Sequence, residues 1–295
     1  MTGASGLVGT ALTAVLSSGG HRVLRLARSR QEGRDSGVTL WDPDAGIVEP
    51  SKLEGLDAVV HLAGESIAGG RWTPGKKRRI RDSRVVGTAT LVRSLGELSR
   101  PPRVFVCASA IGYYGHRHDE ILTEKSHGGM GFLAGVCEQW EQAGAAAAAW
   151  ADRVVSTRFG VVLSPRGGAL AKMLPAFRMG GGGRIGKGQQ YMSWISVDDA
   201  AAALIYILTN AELKGPVNFV SPEPVRNLDF TRALARVVRR PAVIPMPAPL
   251  ARVLFGEMAD ELLLGSSRVI PEKLLASEFE FGHVDLSSTL SFYLG

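Results

Sequence analysis

Three glycines open the chain at three-residue spacing, Gly3, Gly6 and Gly9 in MTGASGLVGT, and the chemistry that spacing serves is the holding of phosphate groups. The first glycine allows a tight turn, the second lets a pyrophosphate approach bare backbone, and the third lets the following helix pack closely on a sheet. Ser5, Leu7 and Val8 share the turn, where the unpaired N–H groups and positive partial charge of a helix N-terminus meet an anion. About 20 residues further on, a carboxylate normally takes the ribose 2′-hydroxyl of a dinucleotide. This chain offers Arg25, Arg28 and Arg30 instead. Alternation places Arg28 just past a strand end, and a guanidinium fork suits a 2′-phosphate. Arg25 and Arg30 read as solvating side chains. The expected ligand is NADP(H).

A second set of reactive side chains follows the strand RVFVCAS. In ASAIGYYG, the hydroxyls of Ser109, Tyr113 and Tyr114 lie at the strand's carboxyl edge, where a proton can be handed to a ligand. Each tyrosine reads equally well as a packed ring with a hydrogen-bonded hydroxyl. Cys107 and Cys137 have no metal-type spacing and are too few for a disulfide framework, so both read as reduced thiols and no metal is expected.

The elements that position these groups alternate short β-branched runs with helical stretches, the pattern of a doubly wound parallel α/β sheet. LVGTALTAVLSSGG reads as a helix, HRVLRLAR and GVTLW as strands, and LDAVVHLAG as a buried strand ending in small residues. A basic helix spans about residues 75–98, FLAGVCEQWEQAGAAAAAWA is helical throughout, and RVVSTRFGVVL reads as one strand. The composition then changes: a Gly-rich loop, helix, loop segment precedes MSWISVDDAAAALIYILTN, a short strand feeding a helix. The division this suggests is a dinucleotide-binding unit over 1–163 and a smaller α/β substrate lobe over 164–295, with a last distinct segment from about 243.

The 295 residues are 45% hydrophobic and 21% charged, ordinary for a globular chain with a full core. No apolar run approaches the roughly 18 residues of a membrane span, and no signal peptide is legible, so a cytoplasmic location without membrane partner is expected. The net charge of +6 concentrates in KKRRIRDSR, Lys76 to Arg84. That run lacks interleaved aromatics, so it reads as a solvated helix face and not as a nucleic-acid site.

TGASGLVGT, HLAGESI, DSRVVGT, SAIGYYG, RFGVVL and MSWISVDD together resemble the extended short-chain dehydrogenase/reductase superfamily, and within it the atypical epimerase family of nucleoside-diphosphate-sugar-epimerase-like proteins. PAPLARVLFGEMADELLLGSSRVIPEKL is similar to that family's C-terminal domain of unknown function. The resemblance covers nearly the whole chain and implies a Rossmann-type sheet. It also implies cofactor contacts at Asp42 near the adenine, at Leu62, Ala63, Gly64 and Glu65 after a strand, at Arg84 where the superfamily often has asparagine, and at Val161 and Val162 beside the nicotinamide amide. Arg158, Gln189 and Trp194 are implied to face a small-molecule substrate, a nucleotide sugar or carbonyl compound, with a place in the core as the other reading of Trp194.

Three departures stand out. The superfamily's Tyr-x-x-x-Lys pair falls on Leu133 and Cys137, or one register earlier on Phe132 and Val136, and is absent in either register. Ser109 lies near the superfamily's catalytic serine, although strict offset from Tyr114–Gly115 gives that place to Ala110. Met1 stands where the family's first strand ends, so that strand reads as truncated and the reading frame as begun late. The resemblance implies an NADP(H)-dependent oxidoreductase or epimerase-like enzyme with a non-standard proton donor; the alternative is a cofactor-binding scaffold or redox-sensing protein without turnover.

Overall fold

The computed structural model describes residues 1–28, 38–47 and 49–295; Arg30 lies outside them. Among the described residues the main sheet is built from β1 (Arg25–Ala27), β2 (Val38–Asp42), β3 (Ala58–His61), β4 (Val104–Ala110), β5 (Arg153–Phe159) and β8 (Gly215–Phe219). β6 (Val161–Ser164) and β7 (Trp194–Ser196) form a parallel pair of their own. All neighbours in the main sheet are parallel, in the order β2, β1, Thr2, β3, β4, β5, β8.

The centre of that order is where the sequence implied a shortened strand. Two residues hold it: Thr2 bridges both Leu26 and His61, its N–H donates to Val60 O at 3.0 Å, and Leu26 N–H donates to Met1 O at 2.8 Å. The two flanking strands are thus joined through backbone hydrogen bonds at the end nearest the glycine loop.

A parallel sheet must be covered on both faces. Val60, Val106, Val155 and Val217 point to one side, against Leu12 of α1 (Leu7–Ser18) and Ala200, Ala203, Leu204 and Ile207 of the helix Val197–Thr209. Val59, Phe105 and Cys107 point to the other, against Leu91 and Leu95 of α2 (Pro74–Gly96) and Trp140 of α3 (Phe132–Ala145). This is the doubly wound, Rossmann-type α/β arrangement. α2 starts where it does because Pro74 sits at its first position and the Thr73 hydroxyl accepts from Lys76 N–H.

RVVSTRFGVVL is two strands, not one. Gly160 separates β5 from β6: its N–H donates to Phe219 O, and a Cβ there would lie 2.6 Å from Ser193 O and 2.7 Å from Val220 Cγ1. HRVLRLAR contributes only the three residues of β1. Past residue 163 a third core gathers Leu170 and Leu174, Trp194, Phe230 and Leu234, and Leu286 and Leu290. This part is laced into the first: β8 completes the main sheet, and Arg268–Val269 pairs with Ile121–Leu122. No helix among the described residues is long and apolar enough to cross a membrane.

Candidate active site

Gly3 has φ +65°, and a Cβ on it would lie 2.7 Å from Leu62 C. On Gly9 a Cβ would lie 2.1 Å from Gly3 O, so backbone meets backbone at both positions and only glycine fits. Ser5 and Gly6 are exposed, and Leu7 and Val8 are half-buried at the start of α1. That first turn has neither an acidic residue nor a side-chain cap, so its N–H groups are left to a ligand. The cradle fits a pyrophosphate: bare backbone, a helix N-terminus and no competing carboxylate.

Behind the cradle lies a neutral buried network. Thr2 Oγ1 accepts from Leu62 N–H at 3.1 Å and Ala63 N–H at 3.2 Å, which leaves its own hydrogen to donate to His61 Nδ1 at 2.7 Å. His61 then carries its proton on Nε2 and donates to Thr88 Oγ1 at 3.0 Å, which also accepts from Trp140 Nε1 at 2.9 Å. Burial, reinforced by the nearby amino terminus, pushes the His61 pKa down to about 3. The imidazole is a neutral brace pinning the Leu62–Gly64 turn to the glycine loop.

Around this turn the implied cofactor residues fall into different settings. Arg28 is exposed just past β1. Asp42 closes β2, but its Oδ1 accepts from Asp44 N–H at 2.8 Å, a local turn contact. Glu65 pairs with the buried Lys76 at 2.6 Å, and that hydrogen bond holds its carboxyl below the usual range. Arg84, half-buried on α2, donates through Nη1 to Glu65 O at 3.0 Å and Ile80 O at 3.1 Å. Its guanidinium lies 5.1 Å from the Trp140 ring centroid and against Gly64, where a Cβ would sit 3.3 Å from Cζ. Burial lowers its pKa. Val161 and Val162 are half-buried in β6, with Val161 N–H donating to Ser193 O at 2.9 Å.

The hydroxyl residues of β4 open onto a second network. Ser109, Arg158 and Asn218 are aligned across β4, β5 and β8 and share one face of the sheet. Ser109 Oγ donates to Glu141 Oε1 at 2.7 Å. Glu141, on α3, accepts a two-pronged pair from Arg158, Nε to Oε1 and Nη2 to Oε2, both at 2.7 Å. Arg158 Nη1 donates to the Tyr114 hydroxyl at 2.9 Å, which donates on to Asn218 Oδ1 at 2.7 Å. Burial works against the Arg158 charge, but Glu141 and Tyr114 outweigh it and hold its pKa above the ordinary arginine value. Burial likewise lifts the Tyr114 phenol to about 12.

Tyr113 is different. Its ring lies 3.6 Å from the Arg158 guanidinium, the side chain is half-buried, and its hydroxyl end faces the Gly128 backbone. Leu133 and Cys137 are buried against Gly112, and burial raises the Cys137 thiol to about 12, so neither supplies the tyrosine or lysine of the superfamily pair.

Of the residues expected to face substrate, Arg158 has its guanidinium committed to Glu141 and Tyr114. Gln189 is exposed, its Oε1 accepting from Arg226 at 3.0 Å. Trp194 is fully buried in the third core with its indole N–H on Glu223 O at 3.1 Å, which leaves no face for a ligand. Glu141 and Asn218 escaped the sequence reading, and Lys76, read there as part of a solvated helix face, is instead buried against Glu65. Glu141 had a signal: it stands one further turn along the α3 face marked by Leu133 and Cys137.

Comparison with known proteins places these features in a family. The NAD dependent epimerase/dehydratase family matches residues 1–220, and the Domain of unknown function (DUF1731) matches residues 246–292. An epimerase family protein of Mycobacterium bovis is 42% identical over 292 residues, covering 99% of this chain and 96% of that protein. The crystal structure of human epimerase family protein SDR39U1 with NADPH superposes with a TM-score of 0.89 at 31% identity, covering 99% of this chain and 97% of that one. A nucleoside-diphosphate sugar epimerase from Corynebacterium glutamicum matches with a TM-score of 0.82 at 37% identity over all of this chain and 57% of its own. The chain belongs to the NAD dependent epimerase/dehydratase family and carries a C-terminal DUF1731 domain.

Proposed function

We propose that the protein is an NADP(H)-dependent oxidoreductase or epimerase-like enzyme acting on a small carbonyl or hydroxyl compound, nucleotide sugars included. The observation that carries this reading is the glycine cradle, open at the uncapped start of α1, with Arg28 and, among the described residues, no acid at the end of β1. The NADPH in the human relative's crystal structure and the sugar-nucleotide name of the Corynebacterium relative support it. Gly3, Ser5, Gly6, Leu7 and Val8 would hold the pyrophosphate and Arg28 the 2′-phosphate. Leu62–Gly64, Arg84 and the backbone of Val161 and Val162 would line the nicotinamide half. When bound, the nicotinamide supplies or takes the hydride.

The chain's own part is the proton. Tyr113 is the better placed phenol, because the Tyr114 hydroxyl is already committed on both sides. Arg158 lies against the face of the Tyr113 ring at 3.6 Å and fixes the orientation of that phenol. Ser109, hydrogen-bonded to Glu141, orients the neighbouring strand end.

Fluorescence titration with NADPH and NADH tests the cofactor. An arginine–phosphate contact is worth roughly 1.5–3 kcal/mol, so NADPH should bind about one to two decades more tightly, and Arg28→Ala should erase the difference. Equal affinities in the unaltered protein would sink the assignment. A second reading, a cofactor-binding protein without turnover, is favoured by Leu133 and Cys137, buried where the reactive pair would stand. Screening carbonyl compounds and nucleotide sugars for NADPH oxidation separates the two.

A further inference from the structure

Ligand-facing groups cross the sheet in a fixed order: Arg28 after β1, Gly3 after Thr2, Leu62–Gly64 after β3, and Ser109 near the end of β4. A dinucleotide with its 2′-phosphate at Arg28 and its pyrophosphate on the glycine loop lays its other half over the β3 turn. Arg84 stands against that turn at Gly64. Both of its hydrogen bonds run through Nη1 to backbone carbonyls. No carboxylate of the described residues forms an ion pair with it, and among the described residues Nε and Nη2 have no hydrogen-bond partner. The same turn brings Lys76 at 2.6 Å and Arg79 at 3.9 Å to the single carboxylate of Glu65. Three cations thus gather around one anion. On the far flank Glu141 and Arg158 neutralise each other.

We infer that Arg84 selects the oxidation state of the cofactor, favouring NADPH over NADP⁺. This rests on the proposed cofactor reading and deepens it. The two oxidation states share the adenine, the 2′-phosphate and the pyrophosphate, so Arg28 and the glycine loop serve them equally. They differ in the ring: dihydronicotinamide is neutral and nicotinamide is cationic. A fixed guanidinium on that half, with no ion-pair partner of its own and only the shared charge of Glu65 nearby, repels only the oxidised form, and its partial burial weakens the screening that solvent would otherwise provide. A protein so charged retains reduced cofactor and releases oxidised cofactor.

The experiment is calorimetric titration of NADPH, NADP⁺ and adenosine 2′,5′-bisphosphate into the full chain, R84Q and E65Q. The unaltered protein should prefer NADPH over NADP⁺ by at least tenfold, about 1.4 kcal/mol. In R84Q the ratio should fall to within about threefold while the bisphosphate, which lacks the nicotinamide half, binds as before. E65Q, which removes the compensating carboxylate, should raise the ratio by about threefold, and it carries the test if R84Q does not fold. An unaltered protein that binds both forms equally, a ratio unmoved in R84Q, or a ratio unmoved or lowered in E65Q overturns the inference and leaves the cofactor reading intact. Failure of the unaltered protein to bind any of the three ligands removes both.

Discussion

Arg84 and Arg158 are both drawn partly out of water beside aromatic rings, yet only Arg158 has a carboxylate. Its side chain is 3% exposed, and Glu141, Tyr114 and the Tyr113 ring account for its fork and its face. Arg84 has two backbone carbonyls, a tryptophan ring and nitrogens left open. A closed network of this kind fixes geometry, because every donor has its acceptor and nothing is gained by moving. An open one is a binding device awaiting its partner. The two halves of the crevice therefore differ in kind: the β3 side is where the proposed ligand would lie, and the β4–β5–β8 side holds α3 and Tyr113 in place.

The closed half should break hardest. Glu141→Gln leaves the Arg158 guanidinium buried and half unpaired, and removing one partner of a buried pair costs about 3–5 kcal/mol. Replacing both, as Glu141→Leu with Arg158→Met, should cost less than the single change, because no orphaned charge remains. Urea denaturation at pH 7 measures both, read as a shift in midpoint at constant slope. A double variant less stable than Glu141→Gln would show that the ion pair stabilises beyond its mutual compensation. By contrast, Arg84→Gln should change stability by less than about 1 kcal/mol, since no charged partner is stranded.

This asymmetry also governs what the sequence could disclose. The glycine loop is contiguous, and its physics is local: Gly3 and Gly9 are required by contacts within nine residues and one facing turn, so the spacing, read with the helix and strands that follow it, pointed to the turn. The place of Arg28 just past β1 was legible for the same reason. The Ser109–Arg158–Asn218 row belongs to three strands that are neighbours only through the sheet order, and Glu141 reaches it from a helix. Nothing in the local pattern of β5 distinguishes a buried, paired Arg158 from one aimed at substrate. Trp194 was open in the same way: a tryptophan near a strand–helix junction can face a ligand or fill a core, and the packing of Leu170, Phe230 and Leu290 decides for the core. The break at Gly160 depends on Ser193 and Val220, both more than 30 residues away in the chain.

His61 extends the comparison to a group that avoids charge altogether. Its folded-state pKa of about 3 lies below its ordinary 6.5, so as pH falls the unfolded chain takes up the proton first. The stabilisation is complete above about pH 6.5 and is lost progressively as the pH falls towards 3. Between pH 7 and pH 5 this one side chain should cost about 2 kcal/mol. Chemical denaturation at the two pH values reads the loss directly. His61→Gln, which cannot titrate, should flatten that slope; an unchanged slope would place the acid sensitivity elsewhere.

The smallest effects separate the adjacent tyrosines, which meet the same guanidinium in opposite ways. Tyr114→Phe strands Asn218 Oδ1 and one Arg158 N–H inside the closed network, so it should lower stability by about 1–3 kcal/mol. Tyr113→Phe removes a hydroxyl with no partner in the network and keeps the ring on Arg158, so stability should stay within about 0.5 kcal/mol. NADPH affinity should be unchanged in Tyr113→Phe, because the phenol lies beyond the glycine loop and the β3 turn. If turnover exists, the ranking reverses: loss of a proton-transferring group costs about 10²–10⁴-fold in rate, so Tyr113→Phe should be the slower enzyme despite being the more stable protein. Thermal melting and single-turnover NADPH oxidation on the two variants decide the matter. A Tyr113→Phe enzyme of full activity would move the proton donor away from the SAIGYYG turn, and a Tyr114→Phe protein of full stability would show that the Arg158 network closes without its phenol.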